Sequence, residues 1–112
     1  MAEPLFLGLD FGTESVRAVI VDSSGAEHGS AVAPFAHSQI TPGSRAAKQL
    51  FDEPLPPRFA LQHPDDWLHS AAEAVRAAVG DDDGRAQRIA GIGVDFTSCT
   101  MLQCASDGTP LL

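Results

Sequence analysis

The sequence predicts an α/β fold built on a mixed sheet, with elements in the order β-β-β-α-β-β. Three observations carry this expectation. Residues 4–35 hold three apolar or β-branched runs separated by short turn signals. Residues 63–80 hold one long stretch with apolar residues at helical spacing. Residues 88–105 return to strand-like runs with a turn between them.

The first strand is "PLFLGLD", residues 4–10, short, apolar and expected to be buried. "FGTE" turns the chain, with Gly12 supplying backbone freedom. "SVRAVIVD" is rich in β-branched residues and forms the second strand of a hairpin. Val16, Ala18 and Ile20 share one of its faces, and Arg17, Val19 and Val21 share the other. Both faces are mostly apolar, so this strand is expected to be covered on both sides. "SSG" turns again, and "AEHGSAVAPF" is a weaker third strand that completes a meander.

Residues 37–63 carry Pro42, Pro54, Pro56 and Pro57 and read as a long irregular excursion, with room for a helical turn over residues 44–50. A loop of that size in a compact domain is usually functional or contacts another part of the protein. "HPDDWLHSAAEAVRAAVG" is the clear helix. Pro64 suits its first turn, and Asp65 and Asp66 put negative charge at its N-terminus. Trp67, Leu68, Ala71, Ala72, Val75 and Val79 make its apolar stripe, with Trp67 as a core anchor, and Gly80 ends it. "DDDG" is expected to be a solvated turn.

"RIAGIGVDF" is the next strand, with Ile92, Val94 and Phe96 on one face and Gly91, Gly93 and Asp95 on the other. The two glycines are expected to allow close approach of the helix. "TSCT" turns, "MLQCA" returns as a strand, and Leu111 and Leu112 begin another. The domain is expected to continue beyond Leu112. An unpaired sheet edge near Leu111 would then favour self-association into a homo-oligomer.

Composition narrows the functional classes. At 112 residues the chain is one modest domain or part of a larger one. Seven basic and 15 acidic residues give a net charge of −8, which argues against nucleic acid or an anionic membrane as the main partner. A small anionic substrate stays compatible, because one local site can oppose the global field. The N-terminus lacks a basic signal-peptide region, and no apolar run approaches the roughly 18 residues of a membrane span, so a cytoplasmic protein is expected. Cys99 and Cys104 lie an odd number of residues apart, on opposite faces of an extended segment, and are read as reduced thiols.

Most catalytic motifs are absent. There is no Walker loop, no H-E-x-x-H and no G-x-S-x-G, and Gly91-Ile92-Gly93 lacks the third glycine of a dinucleotide fingerprint. The histidines His28, His37, His63 and His69 show no metal-ligand spacing. Asp10-Phe11-Gly12 matches the protein-kinase D-F-G triplet, but the glycine-rich loop, strand lysine and H-R-D segment that should precede it are missing.

The longer string "GLDFGTESVRAVIVD" is more specific. It can make a phosphate-facing hairpin turn: backbone N–H groups around Gly12 form a nest, Thr13 and Ser15 donate, and Arg17 forks onto phosphate. Asp10 can hold hydrated magnesium. The same residues also suit a plain β-hairpin in which Asp10 favours the turn and Arg17 snorkels to the sheet edge.

This hairpin resembles the first phosphate loop of the actin, hexokinase and heat-shock ATPase superfamily. Its D-F-G-T-x-S-x-R-A pattern is similar to the FGGY carbohydrate kinases. "ALQHPDDWL" together with "GIGVDFTSCTML" resembles the ribulokinase branch of that family. The resemblance runs over nearly all of the chain and covers only the opening portion of such a kinase.

What the resemblance implies is a ribonuclease-H-like (actin-like ATPase) domain, of which residues 1–112 are the incomplete N-terminal part. It implies ATP and magnesium as cofactors and a small-molecule pentulose, L-ribulose first, as substrate. Asp10 would be the magnesium-linked aspartate, through water. Gly12, Thr13, Ser15 and Arg17 would face the ATP phosphates. Residues 95–100 would border the sugar pocket, with Asp95, Thr97 and Ser98 as its contacts. Asp95 has a second reading, in which its side chain caps the T-S-C-T turn. The catalytic base and the adenosine site would lie beyond Leu112. Another FGGY kinase, or an actin-like nucleotide-dependent chaperone module, is the alternative.

Overall fold

The structure is a computed structural model and describes residues 3–111. Four strands form one mixed sheet: β1 Leu5–Phe11, β2 Ser15–Asp22, β3 Glu27–Pro34 and β4 Ile89–Phe96. Their order is β3-β2-β1-β4. The first three are antiparallel, and β4 returns parallel to β1 after a helical crossover. This mixed α/β architecture agrees with the fold class the sequence predicts.

The crossover contains α1 Arg45–Leu50, α2 Pro64–Val79 and α3 Asp83–Gln87. Pro64 opens α2 and the His63 side chain caps it, accepting from the Asp65 N–H at 3.2 Å. Gly80 closes it at φ 66°, a left-handed value that favours glycine. The helix lies across β2 and β3. Ala74 and Ala78 press onto Leu5, Leu7, Val16, Ala18 and Ile20, and the Ser70 hydroxyl donates to the Pro34 carbonyl at 3.0 Å. The small residues let the backbones come close: a Cβ on Gly29 would sit 2.2 Å from the Ala78 carbonyl oxygen.

The excursion between β3 and α2 carries its own small core. Ile40, Ala46 and Ala47 are buried with Leu55 and Leu61 against them, and Ile40 and Leu61 form an antiparallel bridge. Ser44 caps α1 by accepting from the Ala47 N–H at 3.2 Å.

Several expectations are corrected. Val16, Ala18 and Ile20 are fully buried, but the face holding Arg17, Val19 and Val21 is only partly covered, because among the described residues helices pack on one side of the sheet alone. Gly91 and Gly93 lie on that open side, with Gly91 against the Phe6 ring, and neither meets α2. Leu68 points to solvent, while Asp66, Ser70, Ala74 and Ala78 are the buried positions of α2. Trp67, Ala71, Val75 and Val79 still pack against the core, flanking the small residues on which the helix rests. "DDDG" contributes Asp83 and Gly84 to α3, capped by Asp82. "MLQCA" is not a strand: only an isolated bridge, Cys104 to Pro110, forms there. The sheet edges are β3 and β4 rather than a strand at Leu111. Leu112, the other residue of that expected strand, lies outside the described residues.

Candidate functional site

The β1–β2 turn and the end of β4 come together at one end of the sheet. Asp10 is the register partner of Arg17 on β2 and of Asp95 on β4. These three side chains lie on the open face and line a groove of about 400 Å³, with Gly8 and Gly93 as its floor. Arg17 is exposed and forms no ion pair among the described residues. The Asp95 carboxyl is raised above its ordinary pKa. A hydrogen bond with Asp10 is the main cause, followed by desolvation and the charge of Asp10.

The hairpin turn itself is closed by the Gly12 N–H donating to the Ser15 carbonyl at 2.8 Å. The Phe35 N–H donates to the Glu14 carbonyl at 2.8 Å and fixes the turn from β3's end. The turn after β4 is anchored on the same hairpin, because the Thr97 N–H donates to the Phe11 carbonyl at 3.1 Å. Phe11 and Phe96 stack at 4.3 Å just before the two turns. The Thr100 hydroxyl lies 2.6 Å from that of Thr97 and donates to the Thr97 carbonyl at 2.7 Å. Cys99 takes φ 63° in this turn, and Ser98 is exposed at its tip. The turn is thus held by its two threonines, whereas Asp95 reaches toward Asp10.

The structure therefore brings the candidate residues into two neighbouring sets. Asp10, Gly12, Thr13, Ser15 and Arg17 surround the hairpin, and Asp95, Thr97 and Ser98 lie alongside it. Exposed oxygen ligands and unpartnered donors on one rim suit phosphate and a hard cation. Cys99 and Cys104 are free and exposed.

Two features escaped sequence reasoning. Gln62 donates from Nε2 to the carbonyls of Gly12 (3.1 Å) and Thr13 (2.8 Å), some 50 residues earlier in the chain. Nothing in its local pattern marks this contact. His37, His63 and Asp66 gather despite lacking metal-ligand spacing in sequence, their candidate ligand atoms lying within 4.8 Å of one another. Asp66 is buried and takes two hydrogen bonds from His37, from Nδ1 at 2.8 Å and from the backbone N–H at 3.0 Å. The His37 and His63 rings stack at 4.3 Å and 14°. A metal binds imidazole in the ring plane, so rings stacked this way do not converge on one ion, and the inward-facing atoms already have partners. The cluster is a clamp joining the end of β3 to the start of α2.

No protein-family model matches the chain. Its fold is shared with a solved structure described as a xyloylose kinase from Brucella ovis, at TM-score 0.76 and 21% identity, over 95% of this chain and 19% of that one. At that identity the likeness is one of fold. In sequence the chain is similar to ribulokinases over nearly its whole length, in keeping with the resemblance to the FGGY kinases. It is 39% identical over 114 residues to the ribulokinase of Anoxybacillus flavithermus, covering 99% of this chain and 19% of that protein. It is 43% identical over 109 residues to that of Shouchella clausii, covering 94% and 18%. The ribulokinase of Mycolicibacterium smegmatis is 39% identical over 109 residues, again covering 94% and 18%. The chain spans about a fifth of the length of these relatives. Among the described residues, no helix is long and apolar enough to cross a membrane.

Proposed function

We propose that the chain is the N-terminal part of the first domain of an ATP-dependent ribulokinase, acting in the cytoplasm and transferring the γ-phosphoryl group of ATP to the terminal hydroxyl of L-ribulose. One observation carries this reading. The Thr97 N–H bonded to the Phe11 carbonyl sets the turn after β4 directly beside the hairpin, so a phosphate-facing element and a hydroxyl-facing element share one end of the sheet. The ribulokinase relatives support the choice of sugar.

In this reading Asp10 holds hydrated magnesium, Gly12, Thr13, Ser15 and Arg17 cradle the phosphates, and Asp95, Thr97 and Ser98 border the sugar. Bound magnesium neutralises charge on the phosphate oxygens. The hairpin's contribution is positioning, and Arg17, without an ion pair among the described residues, keeps its guanidinium available to the anion. The base that takes the hydroxyl proton and the adenosine site belong to parts of the kinase outside residues 3–111.

The test is a substrate panel on the full-length protein: L-ribulose, D-xylulose and glycerol, each with MgATP. L-ribulose is expected to give the highest kcat/KM. Phosphorylation of none of the pentuloses would overturn the proposal.

A further inference from the structure

We infer that Gln62 is a positioning residue that aims two peptide N–H groups of the hairpin at the nucleotide's phosphates and couples them to the turn after β4. The inference rests on the kinase reading above. The amide of Gln62 has only one workable orientation. The Trp67 indole N–H donates to its Oε1 at 3.1 Å, and an indole nitrogen can only donate. The Nε2 group therefore faces the hairpin, where its two hydrogens serve the carbonyls of Gly12 and Thr13.

That contact fixes more than two oxygens. Among the described residues no peptide bond is cis, and in a trans peptide unit the C=O and N–H point in opposite directions. Drawing the Gly12 and Thr13 carbonyls toward Gln62 turns the N–H groups of Thr13 and Glu14 away from it. Neither N–H has an acceptor among the described residues. Two consecutive N–H groups directed to one side form an anion-binding concavity. The chemistry it recognises is the phosphate oxygens of a nucleoside triphosphate.

Trp67 links this device to the second turn. Its ring meets Phe96 edge-on at 5.6 Å and 80°, and Phe96 stacks on Phe11. Phe96 is the residue before Thr97. One indole thus orients the Gln62 amide with its nitrogen and braces the sugar-side turn with its edge.

The experiment uses the full-length kinase and compares Gln62→Leu, Gln62→Glu and Trp67→Phe with the wild type. It measures MgATP binding by calorimetry, steady-state constants for both substrates, and melting temperature. Gln62→Leu is expected to raise both Kd and KM for MgATP about tenfold, the equivalent of one hydrogen bond's worth of binding. The pentulose KM is expected to stay within about twofold, since that interaction is left in place. Gln62→Glu sets a carboxylate against two carbonyl oxygens and should weaken MgATP at least as much. Trp67→Phe removes only the indole N–H and should give a smaller rise. Should the Gln62 variants fail to fold, Trp67→Phe and wild-type hydrogen exchange still decide. MgATP is expected to protect the amides of Thr13 and Glu14, and unprotected amides would count against the inference. A Gln62→Leu enzyme that melts lower but binds MgATP as wild type does would overturn it, leaving the kinase reading intact. A wild type that binds MgATP but phosphorylates no pentulose would overturn the kinase reading, with Gln62 still judged by Kd. A wild type that binds no MgATP would overturn both.

Discussion

Asp10 and Asp95 are register partners on adjacent parallel strands, and the neighbouring Asp10 carboxyl is the chief reason that the Asp95 pKa lies above its ordinary value. Two carboxyl groups set side by side cannot both ionise without repulsion, so one holds its proton longer. A carboxyl whose folded pKa lies above its unfolded value costs the fold stability as pH rises through that window, and nothing below it. Asp95→Asn supplies an amide N–H to Asp10 without needing a proton. The variant is expected to melt above the wild type at neutral pH, with the gain disappearing in acid. A pH-independent loss of stability would contradict this.

Gly29 tests the packing of α2 on β3. Because a Cβ there would lie 2.2 Å from the Ala78 carbonyl oxygen, Gly29→Ala must push helix and strand apart. Overpacking of this kind costs about 1–3 kcal/mol. Urea unfolding should show a lower midpoint with an unchanged slope, and an unshifted midpoint would show that the helix can slide without cost.

The strands and α2 were legible because their signals are local. Period-2 runs, the turn residues around Gly12 and Gly25, and Pro64 with Gly80 bounding α2 all act within a few residues. The hairpin residues were legible for the same reason. What stayed hidden depends on partners far along the chain. Gln62 serves carbonyls about 50 residues away, and His37 meets Asp66 across 29 residues. The apolar Val19 and Val21 suggested a second covered face, yet apolar composition does not say which segment provides the cover. In α2 Trp67, Ala71, Val75 and Val79 pack against the core as their spacing predicts and Leu68 does not, while the closest contact falls to Ala78 over Gly29, which no apolar side chain marks.

Asp22 closes the β2–β3 connection through a single carboxylate. It accepts from the Ser24 N–H at 2.9 Å and from the Ser24 hydroxyl, from the Ala26 N–H at 3.1 Å, and pairs with His28 Nε2 at 2.8 Å. The Ser24 hydroxyl is the chief reason that its pKa falls well below the ordinary carboxylate range, with His28 next. A depressed carboxylate contributes stability above its unfolded pKa, and that contribution is lost as pH falls toward the folded value. Asp22→Asn should therefore melt below the wild type at neutral pH, and the gap should narrow below about pH 4, where unfolded aspartates take up protons. Parallel melting curves across that range would refute the assignment.

Asp66 carries the clamp between β3 and α2, and its loss should reach the candidate site. It is 2% exposed, and both of its oxygens are engaged by His37. Asp66→Ala leaves the His37 backbone N–H and ring nitrogen without an acceptor, at a cost of about 1–3 kcal/mol. Asp66→Asn retains one acceptor oxygen and should fall between that variant and the wild type. The damage is directional. His37 follows Phe35, whose N–H holds the Glu14 carbonyl, and Asp66 adjoins Trp67, whose indole orients Gln62. Loosening this junction therefore frees the hairpin from two sides. Hydrogen exchange in Asp66→Ala should rise at residues 12–15 as well as at 35–38. Acceleration confined to residues 35–38 would show that the clamp stabilises its own loop and leaves the hairpin untouched.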